Sequence, residues 1–162
     1  MSSGISQAIT ITRPANTTAY GAGDVVGNST AAGGGILEFT NMGSGSNSRL
    51  YLTSTQFRVD LSSVPSGMTY FTLHLYNASP GSAYADNDPW DLPSGDRAAY
   101  LGYIVLGTPV DLGATLYVEQ NLINKEVRLR GTSIYAYLVT ATGYTPASGT
   151  TMGLNALALG MW

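Results

Sequence analysis

Thr69-Tyr70-Phe71-Thr72-Leu73-His74-Leu75-Tyr76 decides the fold. Phe71, Leu73 and Leu75 fall on one side of an extended chain and Tyr70, Thr72, His74 and Tyr76 on the other. That is the period of two expected of a strand with one face in a core. Ser133–Val139 repeats the pattern: Ile134, Ala136 and Leu138 oppose Tyr135, Tyr137 and Val139, whose tyrosines are placed to pair across strands on the second face. Outward from these two segments, β-rich windows lie at 8–12, 35–40, 50–61, 99–106, 114–119, 126–130 and 154–159. Turn signals separate them, such as Ser44-Gly45-Ser46-Asn47, Pro65-Ser66-Gly67 and Gly107-Thr108-Pro109. The window 154–159 also admits a helical turn; its length and the flanking glycines favour a strand. Twenty glycines and seven prolines leave few windows in which an apolar helix period runs for three turns. About nine short strands without helical crossovers predict an all-β chain, an antiparallel β-sandwich of jelly-roll type. Residues 9–162 read as one domain, and residues 1–8, small and polar, as a flexible N-terminal arm.

One segment is not strand-like. Residues 79–97 hold Pro80, Gly81, Pro89, Pro93 and Gly95 with Asp86, Asp88, Asp91 and Asp96, and read as one long loop. Tyr84 and Trp90 imply that it is ordered, because an indole on a loose loop is an apolar liability. Tyr84, Trp90 and Arg97 on this loop, with Tyr135 and Tyr137 of the Ser133–Val139 strand, are the candidate partner contacts. Asp86, Asp88 and Asp91 bring three hard oxygen donors together, which makes a weak calcium candidate. Pro89 and the absence of a following bidentate Glu depart from an EF-hand. The competing reading is that these side chains cap loop amides as Asx turns do.

Composition narrows the function. Hydrophobic residues make up 44% of 162 residues, which suits a packed domain, but charged residues are only 10%, against about 25% in an average soluble protein. Surface charge keeps proteins apart in solution, so such a surface points to extensive contact with partners. The net charge is −3 and the seven basic residues are scattered, so the counterion release that drives nucleic-acid binding is small. No stretch approaches 18 continuous apolar residues, and no membrane association is expected. The start of the chain lacks a signal-peptide pattern, so synthesis and retention in a cytoplasm are expected. The Asn-x-Ser/Thr triplets at Asn16, Asn28 and Asn77 then read as chance matches. With no cysteine, disulfides, thiolate metal sites and cysteine nucleophiles are excluded together.

Catalytic chemistry has little to stand on. His74 is the single histidine and lies mid-strand, opposite the core face, without a Gly-x-Ser-x-Gly turn; a structural or solvated role is expected. The three glutamates, Glu38, Glu119 and Glu126, lie on different windows, and Glu38, between Leu37 and Phe39, is expected to face solvent. A hydrolase would have to rest on such residues as Glu119, Asp88 and His74. Gly21 to Gly27 has the wrong spacing for a dinucleotide fingerprint and no helix behind it. The reading is of a non-enzyme without cofactors.

Several blocks carry a family likeness. Ile11-Thr12-Arg13-Pro14-Ala15-Asn16-Thr17-Thr18-Ala19-Tyr20 followed by Gly23-Asp24-Val25-Val26-Gly27, then Leu73-His74-Leu75-Tyr76-Asn77-Ala78-Ser79-Pro80, Ala85-Asp86-Asn87 and Tyr100-Leu101-Gly102-Tyr103-Ile104, resemble small structural proteins of tailed bacteriophages. Together they span about two thirds of the chain, and residues from about Asp111 onward carry no such block. The resemblance implies a virion protein, in the first place a head decoration or cement protein on the capsid exterior, made in the bacterial host cytoplasm. Its expected partners are the major capsid protein and itself, as a dimer or trimer. The resemblance brings no catalytic residues. Arg13, Pro14, Tyr20, Gly23 and Asp24 read as architectural, with Asp24 capping the turn made by Gly21 and Gly23. The alternative, motivated by the tyrosines and the long loop, is a receptor- or glycan-binding module of a tail fibre or baseplate.

Overall fold

The computed structural model describes residues 2–161, all in strands, turns and loops. Ten strands follow in order: β1 (Ser2–Thr12), β2 (Val25–Val26), β3 (Leu37–Phe39), β4 (Arg49–Val59), β5 (Phe71–Tyr76), β6 (Tyr100–Leu106), β7 (Val110–Asp111), β8 (Leu116–Arg128), β9 (Ile134–Thr140) and β10 (Thr151–Met161). A long sheet runs β1-β10-β4-β8-β7 and a shorter one β2-β9-β5-β6, with β3 also paired to β9. All pairings are antiparallel. The chain therefore crosses between sheets at six of its nine connections, and its first and last long strands lie side by side. This interleaving is the double Greek key of a jelly roll.

The alternation read from the sequence sets the layers. Phe71, Leu73 and Leu75 of β5 and Ile134, Ala136 and Leu138 of β9 turn inward to meet Leu50, Leu52, Phe57 and Val59 of β4 and Leu154, Ala156 and Ala158 of β10. A second, smaller cluster sits on the outer face of the shorter sheet, around Tyr76, Tyr137 and Val139. From the loop at residues 77–99, Ala78, Tyr84, Trp90, Leu92 and Ala99 pack against that cluster.

Three expectations are corrected. The segment 1–8, read as an arm, is in the described residues the main part of β1, paired residue for residue with β10. Ile5 and Ile9 continue the inward row that ends in Ile11, and this half-hidden apolar period holds the segment to the sheet. The windows 114–119 and 126–130 are one strand, β8, because β4 runs opposite the whole length. A bulge there absorbs the excess, with Leu52 facing Lys125 and Ser54 facing Asn121. Leu122 and Asn124 take left-handed φ of 58° and 49° within it. The two-residue strands β2 and β7 had no window of their own, being too short to show a period.

Candidate functional site

The first motif block and the long loop meet in a buried polar knot. Arg13 and Asp86 are 2% and 4% exposed, and the guanidinium lies 3.1 Å from the carboxylate. Asp86 also accepts from the Tyr20 hydroxyl at 2.6 Å and from the Gly27 N–H at 2.9 Å. Arg13 donates further to the Tyr20 hydroxyl and the Ala147 carbonyl and lies over the Tyr20 ring. Burial, then the neighbouring Asp86 carboxylate, push the Tyr20 hydroxyl far up, so it stays protonated. Gly27 is needed here for space: a Cβ would stand 2.6 Å from the Gly34 carbonyl oxygen and from Gly35 Cα. Asp24 accepts from the Gly21 N–H within the preceding turn.

The three carboxylates named as a calcium candidate point to separate partners. Asp86 neutralises Arg13, Asp88 caps the Ala85 N–H at 2.7 Å, and Asp91 accepts from the Tyr84 hydroxyl at 2.6 Å. No group of three or more His, Cys, Asp or Glu side chains able to hold a metal forms among the described residues. The donor set does not fit calcium, because one of its oxygen pairs is already engaged by a cation.

Beyond the knot the loop lies alongside β2. The Val25 N–H donates to the Asp88 carbonyl, the Asn87 N–H to Val25 and the Trp90 N–H to Gly23, and Asp24 bridges Pro89. This pairing covers the edge of β2 and sets Trp90 on the outer sheet face. Its indole stacks on His74 with ring centroids 3.6 Å apart, and its Nε1 donates to the Tyr76 hydroxyl at 3.2 Å. Tyr137 is fully buried beneath the loop and donates to the Ser82 carbonyl. As a partner contact it is corrected, since its period placed it on the second face but could not show that the loop covers that face. Tyr84, Trp90 and Tyr135 are half-buried, and Arg97 is exposed. Asp96 anchors the other end of the loop, accepting from the Gly81 and Ser82 N–H groups. Burial raises its carboxyl, but these hydrogen bonds and that of the Ser82 hydroxyl outweigh it and hold Asp96 below the usual carboxylate range.

His74 is buried by the same cover, with Nδ1 2.9 Å from the Tyr100 hydroxyl. Burial pushes its imidazole down to about 4. Between pH 4 and 6.5 the unfolded chain takes up a proton that the native one refuses, so stability is complete above about pH 6.5 and falls as pH drops toward 4. At about 1.4 kcal/mol per unit the loss is on the order of 3–4 kcal/mol at most. The expected result is a melting temperature that declines from pH 7 to 4.5, with a shallower decline in His74→Phe, which keeps a flat ring under Trp90. Equal slopes in the two proteins would disprove the assignment.

The glutamates are dispersed. Glu38 is exposed beside Tyr135, Glu119 accepts from Tyr117 and Asn121, and Glu126 faces Arg49 and Tyr51. What remains open is the part of the outer face that the loop does not reach. Tyr70, Tyr103 and Val105 are 46%, 57% and 46% exposed. With Thr72 and His74 they line a shallow groove of about 320 Å³. Tyr103 and Val105 belong to β6, an edge strand with no charged residue and no proline. Gly102, at φ 91°, forms the bulge near its start. The sequence reading missed these residues as a site; the alternation of β6 signalled them, but their neighbours across the sheet are set only by register.

No family model matches the chain, and no curated protein does. Among solved structures it is similar to that of Desmodium yellow mottle tymovirus, at 16% identity over 98% of this chain and 87% of the other, with a TM-score of 0.31. It is similar to the Israel acute paralysis virus pentamer at 14% identity over 96% and 86% of the two chains, TM-score 0.31. It is also similar to the K3 cleaved adhesin domain of Lys-gingipain from Porphyromonas gingivalis at 10% identity over 76% and 62%, TM-score 0.31.

Proposed function

We propose that this chain is a structural virion protein, and within that class a decoration or cement protein that binds the outer surface of a tailed-phage head. The open face bearing Tyr70, Tyr103 and Val105, beside an edge strand without charge, is the observation that carries the reading. An apolar face next to an edge strand without charge or proline favours burial against another protein. A cement protein meets many equivalent sites, so modest neutral contacts repeated by symmetry give firm attachment without a charged hot spot. The motif blocks that resemble those of phage structural proteins supply Arg13, Tyr20 and Asp86 of the knot that ties the long loop to the start of the chain.

Heads assembled without the protein and then supplied with it test the reading. The protein is expected to bind and to raise the temperature at which heads release DNA. Binding is expected to change by less than about threefold between 0.1 and 1 M salt, since apolar contact is not screened. Tyr103→Glu is expected to weaken binding at least tenfold with an unchanged melting curve. Heads that never take up the protein would refute the proposal.

The groove beside His74 favours a second reading, a glycan-binding module of a tail fibre or baseplate, with the exposed Tyr103 ring as the stacking surface. Specific signals on a glycan array, lost in Trp90→Ala or Tyr103→Ala, together with no uptake by heads, would put this reading first.

A further inference from the structure

The two edges of the long sheet differ sharply. At one, β8 carries Glu119, Lys125, Glu126 and Arg128, is interrupted by its bulge and is partly covered by β7. At the other, β1 runs for 11 residues with neither a charged residue nor a proline. Charges, bulges and cover are the devices that keep edges from pairing, and among the described residues β1 has only the Asn28 contact at its Thr12 end.

The outward-facing backbone groups of β1 follow from two hydrogen bonds. The Arg13 N–H donates to the Thr150 carbonyl on the β10 side, whereas the Thr12 N–H turns away from β10 and donates to Asn28 Oδ1. The register with β10 is unbroken from Ser2 to Thr12. Alternation then places the N–H and C=O of Gly4, Ser6, Ala8 and Thr10 on the free edge. Only the end of this row, at Thr12, is covered, by a side chain. Ile5 and Ile9 remain half-buried because no strand lies outside them.

We propose that a second copy of this chain pairs antiparallel along β1, about a two-fold axis through Gln7. In that register Ser6 faces Ala8 and Gly4 faces Thr10, so the free groups of each strand meet those of the other. Ile5 of each copy faces Ile9 of its mate and completes the inward apolar row. Gln7 faces itself, and a primary amide, with donors and an acceptor, is its own complement. Moving the axis to Ser6 or Ala8 would set Gln7 against Ile5 or Ile9, so the sequence selects Gln7. With no charge on the strand, no like charges oppose one another. The pairing joins the long sheets of two copies into one and is independent of what the open face of the shorter sheet binds.

Sedimentation and single-cysteine crosslinking test this on the whole chain, which has no cysteine of its own. The unsubstituted protein is expected to be dimeric at tens of micromolar. Ala8→Pro removes one outward N–H, a position where an edge strand accepts proline, and is expected to raise the dimer dissociation constant at least tenfold. Gln7→Cys sets two thiols across a non-hydrogen-bonded pair, at a Cα separation of about 4.5 Å, within the range a disulfide spans, and is expected to crosslink nearly completely on mild oxidation. Thr10→Cys, with its two copies about 20 Å apart along the strands, is expected not to. If Ala8→Pro fails to fold, the cysteine comparison decides. A monomer at 100 micromolar, a folded Ala8→Pro that dimerises normally, or equal crosslinking at the two positions would overturn the proposal. None of these outcomes depends on whether heads take up the protein.

Discussion

Asp86→Ala is expected to lower the unfolding free energy by about 3–5 kcal/mol, the loss typical when one partner of a buried ion pair is removed. The reason is what stays behind. The Arg13 guanidinium, almost without solvent, would lose its counter-ion, and the Gly27 N–H and Tyr20 hydroxyl would lose their acceptor. Asp86→Asn keeps the shape and an acceptor oxygen but leaves the positive charge unbalanced, so most of the loss should persist. Arg13→Met combined with Asp86→Ala is expected to cost less than the sum of the single substitutions, because no isolated charge is then buried. Urea unfolding of the four proteins measures this. Single substitutions costing under 1 kcal/mol would mean the knot is not a unit. Because the knot joins the start of the domain to residues 77–99 and to Ala147, Asp86→Ala should also loosen the loop over His74, seen as faster hydrogen exchange at residues 83–90.

Phe71→Ala is expected to cost a similar ~3–5 kcal/mol and to lower the melting temperature by roughly 6–20 °C. Phe71 is fully buried at the meeting of the two sheets. Its ring packs edge-on against Phe57 with centroids 5.0 Å apart and against Tyr144 at 6.2 Å. Those neighbours stand on β4 and on the segment after β9, so neither collapses easily into the space a methyl leaves. Phe71→Leu should cost clearly less, since it refills most of the volume. A melting temperature within about 2 °C of the unsubstituted protein would show that the site relaxes freely.

Comparison of β5 with β8 shows how far periodicity reaches. In β5 every second side chain is apolar and every neighbour lies within the strand, so the inward face was legible and Phe71, Leu73 and Leu75 are in the core. In β8 the apolar period fades at Gln120 to Asn124, and only pairing with β4 carries the strand through its bulge. The same limit explains β1, whose serines and glycine read as an arm until β10 supplies partners for their backbone groups. The second face of β9 was assigned to the correct side, but Tyr137 is covered there because the loop around Ser82, 55 residues earlier in the chain, returns across it.

By itself the sequence determined the fold class, the long loop and the poverty of charge, since each depends on composition or on the spacing of near neighbours. The tertiary structure alone decided that Asp86 serves Arg13, that Trp90 covers His74, and that Tyr70, Tyr103 and Val105 stay open. Those facts depend on register between strands distant in the chain. A strand shows its alternation locally, but what stands opposite it is settled only when all the strands pair.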